Sequence, residues 1–220
     1  YPVAMVHANN CTGEHNYWIN LFDEVVKTMG FSAPLGDFYE KLITKSLEAD
    51  KDCGGLLAYN YLSGETITGF TSGRPLFARS ENANFSLANF MRTHLFTSLG
   101  AIKVGNDLLF ANEGVKVDVI WGHGGLFKTE GVGQKVLAAA LDTPVSVMKT
   151  AGEGGAWGMA VLAQYLDNNN KPLDEWLCEC VFKNSKTVSL SPSESGKKQF
   201  ENYLNAYLCN LKERNICSKS

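Results

Sequence analysis

Apolar residues recur along this chain with two different periods, and the switches between them outline alternating helices and strands. After Thr12, the residues Trp18, Leu21, Phe22, Val25 and Met29 return at three- and four-residue steps. Gly30 stands where a helix end takes a left-handed residue, so the spacing predicts a helix over 12–30. A second helix is predicted over 35–49, stopped by the charged Asp50-Lys51-Asp52 and the Gly54-Gly55 turn. Residues 56–62 form a short apolar run between glycine turns, which predicts a buried strand. Polar residues dominate from there to Asn84, and no element is predicted among them. Ser86 then offers an N-cap hydroxyl ahead of the face Leu87, Phe90, Met91, Leu95, Leu99, Ile102 and Leu109, the longest helix of the reading.

The pattern changes again at Val117-Asp118-Val119-Ile120-Trp121, which alternates, is β-branched, and opens into the turn Gly122-His123-Gly124-Gly125. A helix over 131–141, a strand over 144–148 and a small-residue helix over 152–166 follow. Strand, loop, helix, strand, loop, helix is α/β architecture, with helices covering a sheet. Residues 167–172 form a polar loop and a short helix is predicted over 173–182. The closing helix is expected to start with Ser191 as cap, Pro192 at the first helical position and Glu194 at the third. Its apolar face is Phe200, Tyr203, Leu204, Tyr207, Leu208 and Leu211.

Composition narrows the function classes. The 220 residues are 45% hydrophobic and 20% charged, which fits a folded globular chain and not a disordered one. Twenty basic against 23 acidic side chains give a net charge of −3, so no basic field gathers a nucleic-acid backbone. No apolar stretch approaches the ~20 residues of a membrane helix. The start Tyr1-Pro2-Val3-Ala4-Met5 has neither an initiator Met nor a signal pattern, and the expectation is a chain that begins within a longer protein. Six dispersed cysteines are read as reduced thiols in a cytoplasmic protein. The pair Cys178 and Cys180 has the wrong spacing for a zinc site, and the four histidines are not at metal-ligand spacing, so no metal site is expected.

The stretch Trp121-Gly122-His123-Gly124-Gly125-Leu126-Phe127-Lys128-Thr129 follows a predicted strand and precedes a helix, a place where backbone N–H groups can meet an anion or nucleotide. It fits neither the phosphate loop nor the dinucleotide fingerprint, because Phe127 occupies the position each reserves for a last glycine. On these residues alone, a nucleotide turn and a purely structural turn stand equal. The second cluster, Gly152, Gly154, Gly155 and Gly158, gives up about 1 kcal/mol of helix propensity per interior glycine, which close packing or a ligand must offset. Glu65, Asp118 and Glu153 are the carboxylates nearest these turns. Cys11 with His15 one turn away does not make a nucleophilic dyad by itself.

Taken together, Gly122 to Thr129, Gly133-Gln134, Pro144-Val145-Ser146-Val147, and Gly158-Met159-Ala160 with Leu162-Ala163 resemble the C-terminal half of the FGGY carbohydrate kinases, most closely the xylulokinase-like members. Gly64-Glu65 and the Gly13 to Trp18 spacing match further upstream, so the resemblance covers 1–166, with 167–220 as a loop and helical extension packing on the same domain. It implies an actin-like, ribonuclease H-like domain, a mixed sheet flanked by helices with C-terminal helices added. It also implies ATP, with magnesium carried on it, and a sugar-binding N-terminal domain of the same protein as partner. A homodimer is a further expectation. Gly13 and Tyr17 fall where relatives contact the nucleotide, and Gly124, Gly125, Leu126 and Thr129 where they hold adenosine. Arg92 matches an arginine of the long helix, while Phe96 stands where an acidic residue is usual. The family's catalytic aspartate and phosphate loop are expected upstream of this chain, leaving no catalytic residue in it. The implied reaction moves the γ-phosphate of ATP to a sugar hydroxyl, with a ketopentose such as D-xylulose foremost. A kinase for ribulose, gluconate or glycerol, or a non-catalytic nucleotide-binding sensor or scaffold, are the alternatives.

Overall fold

A computed structural model of the chain describes residues 3–148, 152, 154–168 and 170–217, with side chains as far as Leu211. The expectation at Glu153 lies outside the described residues. In chain order the elements are α1 (Gly13–Thr28), α2 (Leu35–Lys45), β1 (Leu56–Tyr59), β2 (Leu76–Arg79), α3 (Leu87–Glu113), β3 (Ile120–Gly122), α4 (Val132–Leu141), β4 (Val145–Met148), α5 (Gly154–Asp167), α6 (Leu173–Trp176), β5 (Thr187–Leu190) and α7 (Glu194–Cys217).

The strands form two small sheets. β1 and β2 pair antiparallel, Leu56 opposite Arg79. β3 and β4 pair parallel, and β5 closes the second sheet antiparallel to β4, Val147 opposite Val188. A parallel pair needs a crossover, and α4 supplies it. Its Gln134 donates Nε2–H to Val145 O at 2.6 Å and to Val188 O at 2.8 Å, so one side chain ties the helix to two strands.

The core lies around α3, whose N-terminal half is buried on nearly every side because α2, β1, α4 and α7 all pack on it. Ser86 caps α3 as expected, its Oγ accepting from Asn89 N at 3.3 Å. The helix runs four residues beyond Leu109, to Gly114 at φ +62°, a conformation glycine adopts without strain. Tyr59, Tyr61, Phe200, Tyr203 and Tyr207 join β1 to α7 in this core, each at most 4% exposed. Burial of such side chains stabilises by roughly 1.5–3 kcal/mol apiece. Gly100 of α3 is the close-approach point, since a Cβ there would stand 2.9 Å from the Tyr207 ring.

Several boundaries differ from the expectations. The predicted strand over 56–62 ends at Tyr59, because the chain turns so that the Tyr61 carbonyl accepts from Arg74 N. β2 arises inside the stretch read as irregular, and β5 was not anticipated. The strand expected from Val117 begins at Ile120. The helix predicted over 173–182 is one α turn, α6, continued by a π-helical turn at Leu177–Val181. Ser193, not Ser191, caps α7: its Oγ accepts from Gly196 N at 3.1 Å, which leaves Pro192 outside the helix. Among the described residues, no helix is long and apolar enough to cross a membrane.

Candidate nucleotide cleft

A cleft of about 560 Å³ opens where three distant stretches meet. Thr12, His15 and Asn16 come from the start of α1, Leu35, Gly36, Tyr39 and Glu40 from α2, and Gly125, Leu126, Lys128 and Thr129 from the turn between β3 and α4. Ile43 and Leu95 complete its apolar lining. Tyr39 donates its hydroxyl to Asn16 Oδ1 at 2.5 Å and so braces α2 against α1.

Glycines fix the turn. Gly124 sits at φ +103°, ψ −174°, a region essentially reserved to glycine. From there the chain closes a 3₁₀ turn over Gly125–Phe127, in which Phe127 N and Lys128 N donate to the carbonyls of Gly124 and Gly125. Those two amides are therefore spent inside the turn and do not form a phosphate cradle. Gly133 lets the turn settle onto α4, for a Cβ there would lie 2.3 Å from the Leu126 carbonyl oxygen. At Gly125 a Cβ would meet nothing within 4 Å, because that position faces the open cleft.

Behind the α1 wall lies a buried polar cluster. His15 and His94 are 4% and 2% exposed, with ring centroids 6.5 Å apart, and Trp18 packs on His94 at 5.2 Å. His15 donates Nδ1–H to the Thr12 carbonyl at 3.3 Å, which makes Nε2 an acceptor. Among the described residues, His15 Nε2, both nitrogens of His94, Glu14 Oε2 and Trp18 Nε1 are buried without a hydrogen-bond partner. Burial pushes His15 down to about 4. It pushes His94 down to about 3, with the nearby His15 adding to the effect. Burial raises Glu14 to about 7, offset in small part by the Trp18 indole, which stands close but outside hydrogen-bonding geometry. Near neutral pH both histidines are thus uncharged, while Glu14 keeps its proton below about pH 7 and shares it with solvent around that value.

Of the residues expected at the nucleotide, Gly125, Leu126 and Thr129 line the cleft. Gly13 is the first residue of α1, beside the lining Thr12, and Gly124 sets up the turn. Tyr17 is 66% exposed and does not line the cleft. Arg92 faces away from it: Nε and Nη2 donate to the Ser46 and Leu47 carbonyls and Nη1 to Gln199 Oε1, a tie between the end of α2 and α7. His15 contacts the Thr12 carbonyl and not the Cys11 thiol. Asp118 is exposed, whereas Glu65 is fully buried. The α2 contribution, Leu35 to Glu40, went unrecognised because nothing in the sequence of an amphipathic helix says which neighbour its flank will meet. Among the described residues no three His, Cys, Asp or Glu side chains gather so as to hold a metal ion.

The fold is that of the actin-like ATPases. Residues 1–166 match the C-terminal domain of the FGGY family of carbohydrate kinases, and the chain belongs to that family. No curated protein matches it by sequence. Among solved structures it is similar to a xylulose kinase from Rhodospirillum rubrum, with TM-score 0.67 and 14% identity over 93% of this chain and 39% of that one. A gluconate kinase from Lactobacillus acidophilus superposes with TM-score 0.63 and 18% identity over 97% of this chain and 41% of that one. A glycerol kinase from Plasmodium falciparum, solved with ADP, gives TM-score 0.59 and 16% identity over 89% of this chain and 36% of that one. The chain thus spans about two fifths of the length of these proteins.

Proposed function

We propose that this chain is the nucleotide-binding half of an ATP-dependent sugar kinase. The observation that carries the reading is the cleft between α1, α2 and the Gly125 turn, in a domain of the FGGY family. Its chemistry suits a purine nucleoside: Leu35, Ile43, Leu95 and Leu126 offer apolar faces, while Asn16, Tyr39, Glu40 and Thr129 offer polar groups at the edge. Gly125 presents bare backbone to the place a planar base would occupy.

On this reading the division of labour is simple. ATP with its magnesium supplies the phosphoryl group and the charge that neutralises it in transfer. Gly125, Leu126 and Thr129 hold the nucleoside, with Gly13 and Gly124 shaping the walls, and the apolar lining keeps water off one face of it. The carboxylate that takes the proton of the sugar hydroxyl belongs to a partner domain, so catalysis requires the two to close on each other. The acceptor we favour is a ketopentose such as D-xylulose; the structural neighbours include xylulose, gluconate and glycerol kinases, and a substrate panel with the full-length protein separates these acceptors.

The test is Gly125→Val. The open space around the Gly125 Cβ position predicts a stability change within about 1 kcal/mol, while the isopropyl group enters the nucleoside site and weakens ATP binding at least about tenfold in calorimetry. Unchanged ATP affinity in a folded variant refutes the placement of the nucleotide.

A further inference from the structure

Glu65 is fully buried, and among the described residues it faces no lysine or arginine that would explain it. Its partners are two backbone amides and one side-chain amide, all on Oε2, while Oε1 is buried without a hydrogen-bond partner among the described residues. Oε2 accepts from Asn9 N and from Asn10 N, both at 3.0 Å, and from Asn10 Nδ2 at 3.2 Å. Two successive backbone amides thus converge on one carboxyl oxygen, which fixes the direction of the chain at both residues. The holder is itself fixed: Glu65 and Phe70 exchange both backbone hydrogen bonds, at 2.8 and 3.0 Å. Gly64 is confined too, as a Cβ there would lie 2.8 Å from the Thr71 carbonyl.

The grip continues along the chain toward the cleft. Asn10 Oδ1 accepts from Ser63 N at 3.0 Å, Asn9 Nδ2 donates to Gly64 O at 2.8 Å, and Asn60 Nδ2 donates to Cys11 O. Thr12 comes next, lines the cleft, and receives both His15 N and His15 Nδ1 on its carbonyl. Ahead of this clasp the chain is open to solvent, with Val3 and Met5 at 91% and 85% exposure.

We propose that Glu65 is a positioning residue for the nucleotide cleft: by binding the amides of Asn9 and Asn10 it fixes where α1 begins, and with it the wall formed by Thr12, His15 and Asn16. The inference rests on the reading of that cleft as the nucleotide site. In the full-length protein, Glu65→Leu is expected to speed amide exchange of residues 9–15 at least about tenfold and to raise the KM for ATP about tenfold, with kcat changed much less. Glu65→Gln keeps an acceptor at Oε2 and restores both. If Glu65→Leu does not fold, Asn10→Ala carries the test: it removes the side-chain clasp but leaves the backbone amides, and gives the same pattern at smaller amplitude. Unchanged exchange over residues 9–15 in either folded variant overturns the proposal. Faster exchange with an unchanged KM for ATP leaves the anchor standing and overturns the cleft as the nucleotide site.

Discussion

Two groups of buried polar side chains meet helix α3, and they are finished differently. Between β1 and α7, Tyr59 donates to the Tyr207 carbonyl at 2.6 Å, Tyr61 and Tyr207 share a hydroxyl contact, Thr68 donates to Tyr61 at 2.8 Å, and Ala58 N donates to the Tyr203 hydroxyl. Between α1 and α3, the Glu14, His15, Trp18 and His94 group leaves five polar atoms without partners among the described residues. A buried polar atom left unpaired costs about 1–3 kcal/mol, so natural cores complete their networks except where something else is gained. The satisfied cluster holds the scaffold together. The unsatisfied one backs directly onto the cleft wall.

The largest expected effect breaks the scaffold side. Tyr207→Ala removes a fully buried ring stacked on Tyr59 and lying against Gly100, and should cost about 3–5 kcal/mol in denaturant unfolding. Tyr207→Phe, which keeps the ring and drops the hydroxyl, should cost about 1–2 kcal/mol. Equal losses for the two would mean that the hydrogen bonds, not the packing, dominate there.

The cleft side is sharpened by pH. His15 and His94 are depressed from 6.5 to about 4 and about 3, so their contribution is present above pH 6.5 and is lost as pH falls toward those values. Glu14 is raised from 4.5 to about 7, so its contribution is present below pH 4.5 and is lost as pH rises through 7. Between pH 4.5 and 6.5 the unfolded chain carries two histidine protons that the native chain lacks, and lacks one glutamate proton that the native chain keeps. Stability therefore rises with pH by about 1.4 kcal/mol per unit across that window, then stops rising near pH 6.5. Thermal unfolding across this range checks it, and a flat profile counts against an uncharged cluster.

The smallest effect is the most discriminating. His94→Leu deletes two unpartnered nitrogens at constant buried bulk and should leave stability unchanged or improved by up to about 2 kcal/mol, while cancelling most of the pH slope. A loss beyond about 2 kcal/mol would show that the imidazole is hydrogen-bonded in solution and that the contrast between the two groups is only apparent.

The elements readable from sequence were those whose signal is local. Ser86 with the apolar face of α3, the Phe200 to Leu211 face of α7, and the alternation around α4 all follow from capping and periodicity. β2 and β5 did not show, because each is four residues long and neither has a buried residue. Such strands exist by pairing with a neighbour, and pairing is not written in their own composition. Ser191 fits the capping rule by its spacing to Pro192 and Glu194, and the shift of the cap to Ser193 goes with the packing of Gly196 over Ala139 on α4. At the cleft, the Gly124 to Thr129 stretch was legible because unusual backbone demands glycine. The α2 wall, and the two histidines far apart in sequence, were not, since only the tertiary fold brings them to one place.

The double hydrogen bond of Gln134 has a practical corollary for anyone trimming this protein. The family match covers residues 1–166, yet β5, which Gln134 grips together with β4, comes after that point. A fragment cut after residue 166 would bare a full strand edge of β4, and bare edges recruit one another. Residues 1–166 are accordingly expected to be less well behaved alone than with the tail that follows them, whose strand serves as the cover that keeps one molecule from pairing with the next.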